Sequence, residues 1–344
     1  MTATTPTPAP TPIPPPESVI KLPADHYAHP GAPTEWWWHT GTLHAGDHVF
    51  GFEINAANFP DLGACFSQIM LTDVAGQKHY QNSTQQSPEG WAESDPAKDW
   101  YVRLGDPASD PAWISMAAPQ ADPTRNMAIK AAFLDDATKT SVAFDLMMSQ
   151  DGPPFIVYGT GVSPSPAVPG GLAENNYYYS LTRLACTGIV TIGGEVIAVT
   201  GMTWMDHEYG KFGTTGQPVK WFLQDMQLDN GVHISHFVSF PNAAPTLGVS
   251  TPSMATIQFP DGTTFFETDC TLTPVGKTWK SPGGERFFLT FEVVIPGFEA
   301  SFKVRSLVPE QYFPFGDVYE GVASVSGTFA GEYVTGTAWN EQEP

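Results

Sequence analysis

Three side chains near the middle of the chain have the types and spacing for proton-transfer chemistry. Trp204, Asp206 and Glu208 alternate along the stretch Thr200–Gly210, which follows the strand-like run Glu195–Val199. In an extended segment, residues two apart point to the same side, so we expect these three to share a face. An indole ring beside two carboxyl groups could hold an apolar substrate and exchange a proton with it.

The chemistry at Asp206 depends on its surroundings. In an apolar pocket, desolvation disfavours the charged carboxylate, so the acid keeps its proton to higher pH and could protonate an alkene. Indole and phenol rings would stabilise the cation that forms, by about 0.5–2 kcal/mol per ring. The alternative is a solvated strand-end carboxylate paired with Arg183 or Lys211. Glu208 likewise is either a second acid or water-activating base, or an exposed partner of Lys211.

The composition argues against several classes of partner. The 344 residues carry 15 Lys and Arg against 36 Asp and Glu, a net charge of −21, whereas phosphate binding needs dense basic side chains. This balance also disfavours an anionic membrane surface, and no stretch is apolar enough to span a bilayer. The N-terminus lacks a signal-peptide pattern, so we expect a cytoplasmic protein without stable membrane insertion.

The sequence predicts neither a metal site nor a cofactor. The three cysteines are isolated, without the CxxC spacing of a thiolate zinc site. His44 and His48 flank a predicted turn, and His233 and His236 would point to opposite sides of a strand, which is poor geometry for chelation. No nucleophile elbow, phosphate-binding loop or dinucleotide fingerprint occurs in a suitable context.

Short β-rich runs separated by Gly, Pro, Asp and Asn dominate the chain. Glu35–Leu43 and Val49–Ile54 flank a Gly-Asp turn and predict a hairpin. Helical periodicity over a dozen residues is not evident. We therefore predict a mainly β, antiparallel fold of barrel or sandwich type. Residues 1–25 begin with a segment containing seven prolines by residue 16 and predict a disordered tail.

An internal repeat predicts two related β domains. Trp36-Trp37, Leu43, Gly46 and His48 recur 185 positions later as Trp221-Phe222, Leu228, Gly231 and His233. A second echo, 135 positions apart, relates Thr200-Gly-Met-Thr-Trp-Met-Asp206 to Thr335-Gly-Thr-Ala-Trp-Asn-Glu341. Each copy opens with an aromatic hairpin and closes with an acidic strand. We place the domains at 26–212 and 213–344.

These motifs resemble a known family. Glu35-Trp-Trp-Trp38, Thr200-Gly201 with Trp204-x-Asp206, and Tyr319-Glu-Gly321 before Trp339 are similar to the lipocalin-like proteins grouped with carotenoid 1,2-hydratase (hydroxyneurosporene synthase) and the AttH-type proteins. The resemblance implies two lipocalin-like antiparallel β domains in tandem, with a substrate pocket at or near their junction. The family includes hydratases of isoprenoid double bonds and, in fungal relatives, cyclases that assist Diels–Alder reactions.

The resemblance also implies site residues. The acid proposed for the hydratases is an aspartate two residues after an aromatic, which falls here on Asp206 and Trp204. A further pair one strand earlier falls on Tyr177 and Tyr179, where the hydratases have His and Trp. The remaining candidates are predicted to bind substrate; they are Trp36, Trp38, His39, Glu53, Trp221, Gln224 and Trp339. Of these, Glu53 is a second candidate acid if its side chain points inward.

Three functions remain open from the sequence. The first is an enzyme of secondary metabolism that acts on a hydrophobic isoprenoid or polyene by acid-catalysed hydration, dehydration or proton-initiated cyclisation, with Asp206 as the general acid. The second is a pericyclase, which needs no acid because positioning alone lowers the barrier. The third is a lipocalin-like carrier without chemistry. All three predict a hydrophobic small molecule as partner, and none indicates the oligomeric state.

Overall fold

The structure is a computed structural model, and its regular structure is almost all β. It describes residues 18–60, 63–118, 122–213, 220–240 and 245–344. Within these ranges the helices are single turns of 3-10 helix, and none is long and apolar enough to cross a membrane. The predicted mainly β class is confirmed.

The first sheet is an almost closed antiparallel barrel. Its strands are β1 (Thr34–Ala45), β2 (His48–Phe59), β3 (Ala64–Asp73), β4 (Lys78–Gln86), β5 (Trp100–Leu104), β6 (Ala112–Ala118), β7 (Asn126–Leu134), β8 (Ser141–Gln150), β9 (Phe155–Ile156), β10 (Val162–Ser163), β11 (Asn176–Ile192) and β12 (Glu195–Gly210). Their order is β4-β3-β2-β1-β12-β11-β8-β7-β6-β5, with β9 and β10 on β11. The two ends approach each other, and Gln86 Nε2 of β4 donates to the Arg103 carbonyl of β5 at 3.3 Å.

The second sheet closes on itself. Its strands are β13 (Lys220–Leu228), β14 (His233–Phe240), β15 (Thr251–Gln258), β16 (Thr264–Pro274), β19 (Thr290–Ile295), β20 (Ala300–Ser306), β21 (Tyr312–Phe313), β22 (Val318–Phe329) and β23 (Glu332–Glu343); β17 (Thr278–Lys280) and β18 (Arg286–Phe288) form a separate ribbon. The order is β20-β19-β16-β15-β14-β13-β23-β22-β21, and a β20–β22 pairing completes the barrel. The tandem lipocalin-like architecture is confirmed.

Alternation along the strands builds the interior of each barrel. In β6 and β7 every second residue is buried, which is the pattern of a strand with one face on a core. Trp37, Phe52 and Met205 belong to the first core, and Phe222 and Phe302 to the second. Because one face of each strand fills its own barrel, the other face is free to meet the second barrel or the solvent.

The two barrels pack together through their outer faces. Met70 of β3 meets Phe313, Val322 and Trp339 of the second barrel in a small apolar cluster. Gly51 of β2 allows the closest approach, since a Cβ at that position would lie 2.4 Å from the Val322 side chain. The junction is therefore a packed contact near these residues.

The internal repeat has a structural counterpart in strand register. β1 pairs with β12 as β13 pairs with β23. The matching cross-strand pairs are Trp36–Glu208 with Trp221–Glu343, and Trp38–Asp206 with Leu223–Glu341. Each barrel thus presents the same two-strand wall, with two carboxyl side chains on it.

The described part of the N-terminal segment lies against the first barrel. Residues 1–17 of the predicted tail lie outside the described residues, but residues 18–25 contact the first barrel. The Val19 amide donates to the Thr160 carbonyl, and Ile20 packs against the core. Contacts with the barrel therefore begin before residue 26, because one apolar side chain here finds a groove to fill. The two sheets lie on either side of the boundary that we place between residues 212 and 213.

Candidate active site

A cavity of about 1060 Å³ lies between the two barrels. Strands β1, β11 and β12 of the first barrel and β13, β14 and β23 of the second contribute to its lining. Twelve of the lining residues are aromatic, among them Trp36, Trp38, Tyr158, Tyr178 and Trp221. A concave, mostly apolar site with a few convergent polar groups is typical of a small-molecule pocket.

Asp206 and Glu208 project from β12 into this cavity. Their strand neighbours His207 and Tyr209 point to the opposite face. There His207 stacks on Trp37 of the first barrel, and Tyr209 stacks on Tyr177. Trp204, on the same face as the two carboxyl groups, is covered by Phe155 and borders a small neighbouring gap rather than the main cavity.

Asp206 is a buried carboxyl group whose Oδ1 accepts two hydrogen bonds. Ser180 Oγ donates at 2.5 Å and Trp204 Nε1 donates at 2.8 Å. Burial raises the pKa of Asp206 to about 6, and hydrogen bonds from these donors oppose the rise. The side chain can therefore change its protonation state near neutral pH.

The alternative interpretation of Asp206 as a solvated, paired carboxylate is wrong. The residue is only 7% exposed. Lys211 Nζ binds Glu174 instead, at 2.9 Å, and the Arg183 guanidinium donates to the Gly231 carbonyl. Neither cation forms a salt bridge with Asp206, and Lys211, although it also lines the cavity, pairs with Glu174.

Glu208 has the same kind of environment. It is buried, accepts a hydrogen bond from Asn176 Nδ2, and forms no ion pair with Lys211. Burial raises the pKa of its carboxyl group well above the usual range, with the charge of Asp206 adding to the effect. Burial therefore disfavours the ionised form of Glu208.

Tyr177 and Tyr179 face away from the cavity, so their assignment to the catalytic group is wrong. They pair across the sheet with Tyr209 and His207, whereas Asp206 and Glu208 pair with Ser180 and Tyr178. Directly opposed residues in an antiparallel pair share a face. Tyr178 and Ser180 therefore occupy the positions beside the carboxyl groups, one residue away from the predicted pair.

Tyr179 and Tyr177 have structural roles. The Tyr179 hydroxyl lies between His26 Nδ1 and His207 Nδ1, at 2.5 and 3.2 Å, inside the first barrel. The Tyr177 ring stacks on Tyr209, with ring centroids 5.1 Å apart. Both contacts stabilise the end of the first barrel, and neither tyrosine lines the cavity.

The predicted substrate-binding residues divide by strand face. Trp36, Trp38 and Trp221 line the cavity. His39 lies inside the first barrel, where burial lowers its pKa to about 3, and Gln224 lies inside the second, with its Oε1 3.0 Å from His236 Nδ1. The prediction that both residues bind substrate in the cavity is wrong. Each lies an odd number of positions along its strand from a tryptophan that faces the cavity, so its side chain points to the opposite face.

Glu53 and Trp339 lie at the junction but outside the cavity lining. Glu53 Oε1 accepts from Asn55 Nδ2 at 2.6 Å, and burial raises its pKa well above the usual range. Trp339 Nε1 donates to Glu320 Oε2 at 2.6 Å. These side chains connect the barrels and contact the residues behind the cavity wall.

The opposite wall carries carboxyl groups that we did not predict from the sequence. Glu341 and Glu343 of β23 line the cavity; Glu320 is buried behind Glu341, and Asp225 is buried near Trp204. Burial raises the pKa of Glu341 to about 8 and that of Glu343 to about 7. The repeat relating Asp206 to Glu341 was the signal that could have identified this wall.

One group of residues has donor atoms suited to a metal ion. His29, Glu35 and His207 bring one donor atom each within 4.8 Å of one another. They already form a hydrogen-bonded chain, with Glu35 Oε1 2.8 Å from His29 Nδ1 and 3.1 Å from His207 Nε2. Since His207 points into the first barrel, this group is separate from the cavity.

Paired barrels of this topology, with a cavity between them, define a tandem lipocalin-like protein. The sequence model of the AttH-like family matches residues 13–342, so the chain belongs to the AttH-like family. The family resemblance predicted from the sequence is confirmed.

Solved structures share this fold at low sequence identity. A putative AttH from Nitrosomonas europaea has 20% identity and a TM-score of 0.74, covering 97% of this chain and 98% of its own. Kievitone hydratase from Nectria haematococca has 16% identity and a TM-score of 0.71, with coverages of 94% and 92%. CghA in complex with Sch210972 has 12% identity and a TM-score of 0.52, with coverages of 90% and 88%. A search of curated proteins found no match.

Proposed function

We propose that this protein is an enzyme that adds water to, removes water from, or cyclises a hydrophobic alkene-bearing molecule of the isoprenoid or polyene type. The observation that carries the proposal is the buried carboxyl group of Asp206, which opens into an aromatic-lined cavity and forms no salt bridge with any residue in the described part of the chain. The fold shared with kievitone hydratase supports a hydratase.

The size and lining of the cavity indicate the substrate class. A volume of about 1060 Å³ lies just above the roughly 300–1000 Å³ of ordinary ligand pockets. Aromatic rings from both barrels line it, which suits a long apolar skeleton. The carboxyl groups of Asp206 and Glu208 lie on one wall and those of Glu341 and Glu343 on the other, so such a substrate would meet acidic groups on two sides.

Asp206 is the residue that we assign to proton exchange with the substrate. Trp38 lies directly opposite it in the sheet, and Tyr178 flanks it on the other side. In hydration, a carboxyl proton bonds to one alkene carbon and a water oxygen bonds to the other, releasing its own proton to a carboxylate. The rings of Trp38 and Tyr178 stabilise the intervening cation through cation–π attraction.

A pericyclase is the second candidate, and the likeness to CghA with Sch210972 favours considering it. In that case the cavity would fold a polyene, and Asp206 would act only as a hydrogen-bonding group. A carrier of a hydrophobic ligand is the third, because an aromatic cavity serves binding as well as catalysis.

The test is turnover by the purified protein with kievitone and a panel of prenylated phenols, isoprenoid alkenes and linear polyenes. Products are followed by mass spectrometry in ¹⁸O-labelled water, which reveals addition of solvent oxygen. We compare wild type with D206N, and D269N serves as control because Asp269 is exposed on β16.

The outcomes separate the three candidates. A proton-transfer enzyme converts at least one probe, and D206N lowers kcat by about 10²–10⁴-fold while D269N does not. Cyclisation at an equal rate by D206N indicates a pericyclase. Tight binding of a probe that is always recovered unchanged indicates a carrier and contradicts the proposed enzyme.

A further inference from the structure

The cavity has a second wall that is equivalent to the one carrying Asp206. Asp206 and Glu341 occupy matching positions in the repeated motif, and both line the cavity. Their tryptophan contacts are similar in kind, since Trp204 Nε1 donates to Asp206 and Trp221 Nε1 donates to Glu341. The duplication therefore places one carboxyl group on each side of the ligand space.

The neighbours of Glu341 are other carboxyl groups. Glu320 lies directly opposite it in the β22–β23 pair and is buried, as is Glu53 of the first barrel. Burial raises the pKa of Glu320 well above its usual range, and the charges of Glu341 and Glu53 add to the effect. Buried carboxyl groups that lie together cannot all be ionised, because their negative charges repel one another.

Two buried oxygens of this group, Glu53 Oε2 and Glu320 Oε1, have no hydrogen-bond partner. Because no donor stabilises a negative charge on these oxygens, ionisation of the two carboxyl groups is disfavoured. Among the described residues, no Lys, Arg or His forms a salt bridge with Glu53, Glu320 or Glu341, so charge neutrality here must come from protons.

Asp206 accepts one more hydrogen bond than Glu341, which among the described residues accepts from Trp221. Asp206 Oδ1 accepts from a hydroxyl and an indole N–H, and donors of this kind favour the ionised form. Ser180 stands opposite Asp206 where Glu320 stands opposite Glu341. Burial and the charge of Asp206 raise the pKa of Glu341 to about 8, whereas that of Asp206 is about 6.

We propose that Glu341 is the proton donor of the reaction and Asp206 the proton acceptor. This inference rests on the proposed function and replaces the predicted role of Asp206 as the general acid.

The proton and electron balance is complete without a further reactant. In hydration, the alkene π pair takes the Glu341 proton to form a C–H bond and leaves a cation on the adjacent carbon. A lone pair of water forms the C–O bond, and the proton lost from that water moves to Asp206. Exchange with solvent then returns a proton to Glu341 and removes one from Asp206. In cyclisation, Asp206 takes its proton from carbon instead.

The location of the protons can be tested on the intact protein without substrate. Infrared difference titration follows the carbonyl stretch of protonated carboxyl groups between pH 5 and pH 9. E341Q is expected to abolish a protonated signal that is present at pH 7 and lost near pH 8. D206N is expected to abolish a transition near pH 6, and D269N changes neither.

The order in which the two carboxyl groups ionise is measured in the same titration. The Glu341 transition should lie at higher pH than the Asp206 transition. Melting temperatures confirm that each variant is folded. If Glu341 ionises at or below the pH at which Asp206 does, or if E341Q leaves the spectrum unchanged, the inference is overturned whatever the activity assays give.

Activity distinguishes this inference from the proposed function. On any probe that the wild type converts, kcat/KM should have an acid limb near pH 6 and an alkaline limb near pH 8, and E341Q should lower kcat by about 10²–10⁴-fold. Full activity of E341Q with an inactive D206N refutes the donor role and leaves the proposed function standing. A wild type that converts no probe refutes the proposed function itself.

Discussion

The two walls of the cavity are built on one plan and differ in the residue that faces the carboxyl group from the neighbouring strand. On the first wall Ser180 faces Asp206, and on the second Glu320 faces Glu341. A hydroxyl donates a hydrogen bond and supports an anion, while a buried carboxyl group beside another requires a proton. The two positions thus share one strand plan and differ in their donors, because Asp206 accepts from Ser180 and Trp204 whereas Glu341 accepts from Trp221.

The largest effect is expected from removing the acceptor on the first wall. D206N retains the size and one hydrogen-bond acceptor of the side chain but cannot take up a proton, so kcat should fall by about 10²–10⁴-fold. The measurement is turnover of the probe that the wild type converts best, with D269N as the matched surface control. A D206N enzyme with unchanged kcat would show that the two walls do not divide proton transfer between them.

Both walls should make the protein less stable as the pH rises above neutrality. A carboxyl group whose folded pKa is raised binds more protons in the folded state, so stability falls as the pH passes from the unfolded pKa to the folded one. The loss of stability continues to about pH 8 for Glu341 and to about pH 7 for Glu343. His29, whose pKa is raised to about 9, also lowers stability as the pH rises. Each group contributes at most about 1.4 kcal/mol per pH unit.

Urea unfolding at pH 6.5, 7.5 and 8.5 measures this slope. E341Q removes one titrating group and should flatten it, while D269N should keep the wild-type slope. Stability that rises with pH across this range would contradict the raised pKa values of Glu341 and Glu343 on the second wall.

The two faces of β11 should respond differently to the loss of a hydroxyl group. Y179F removes the group that lies between His26 and His207, so it should destabilise the fold by roughly 1–3 kcal/mol. Y178F changes a cavity residue and should alter KM or kcat with a smaller loss of stability. Chemical denaturation and kinetics of both variants check this, and the reverse pattern would contradict the assigned faces.

The smallest expected effect sharpens the contrast at Asp206. S180A removes one of the two donors that stabilise the Asp206 carboxylate, so the pKa of Asp206 should rise from about 6 by roughly one unit. Infrared titration or the acid limb of the pH–rate profile measures the shift. An unchanged acid limb would show that Ser180 does not affect the pKa of Asp206.

Much of the fold was predictable from local sequence patterns. Alternation, turn residues and the repeat of Trp36 at Trp221 predicted two related antiparallel β units, which the structure shows. The grouping of Trp204, Asp206 and Glu208 on one face followed from the period of two in a strand. These features depend only on neighbours along the chain.

The errors at the site concern which face of a strand meets which space. Tyr177 and Tyr179 were predicted one residue away from the positions that flank Asp206, because the register of β11 against β12 is not encoded in either strand alone. His39 and Gln224 lie inside the barrels for the same reason. A shift of one residue exchanges the buried and cavity faces, and local sequence does not settle it.

By itself, the sequence determined the β class, the duplication and the presence of an acid beside an aromatic ring on one strand. Only the tertiary structure decided that Asp206 lies in a cavity between two barrels, and that Glu341 faces the same cavity from the other side. The physical reason is that strand period is a local property, whereas burial, and with it the protonation state of a carboxyl group, depends on chain segments more than a hundred residues apart.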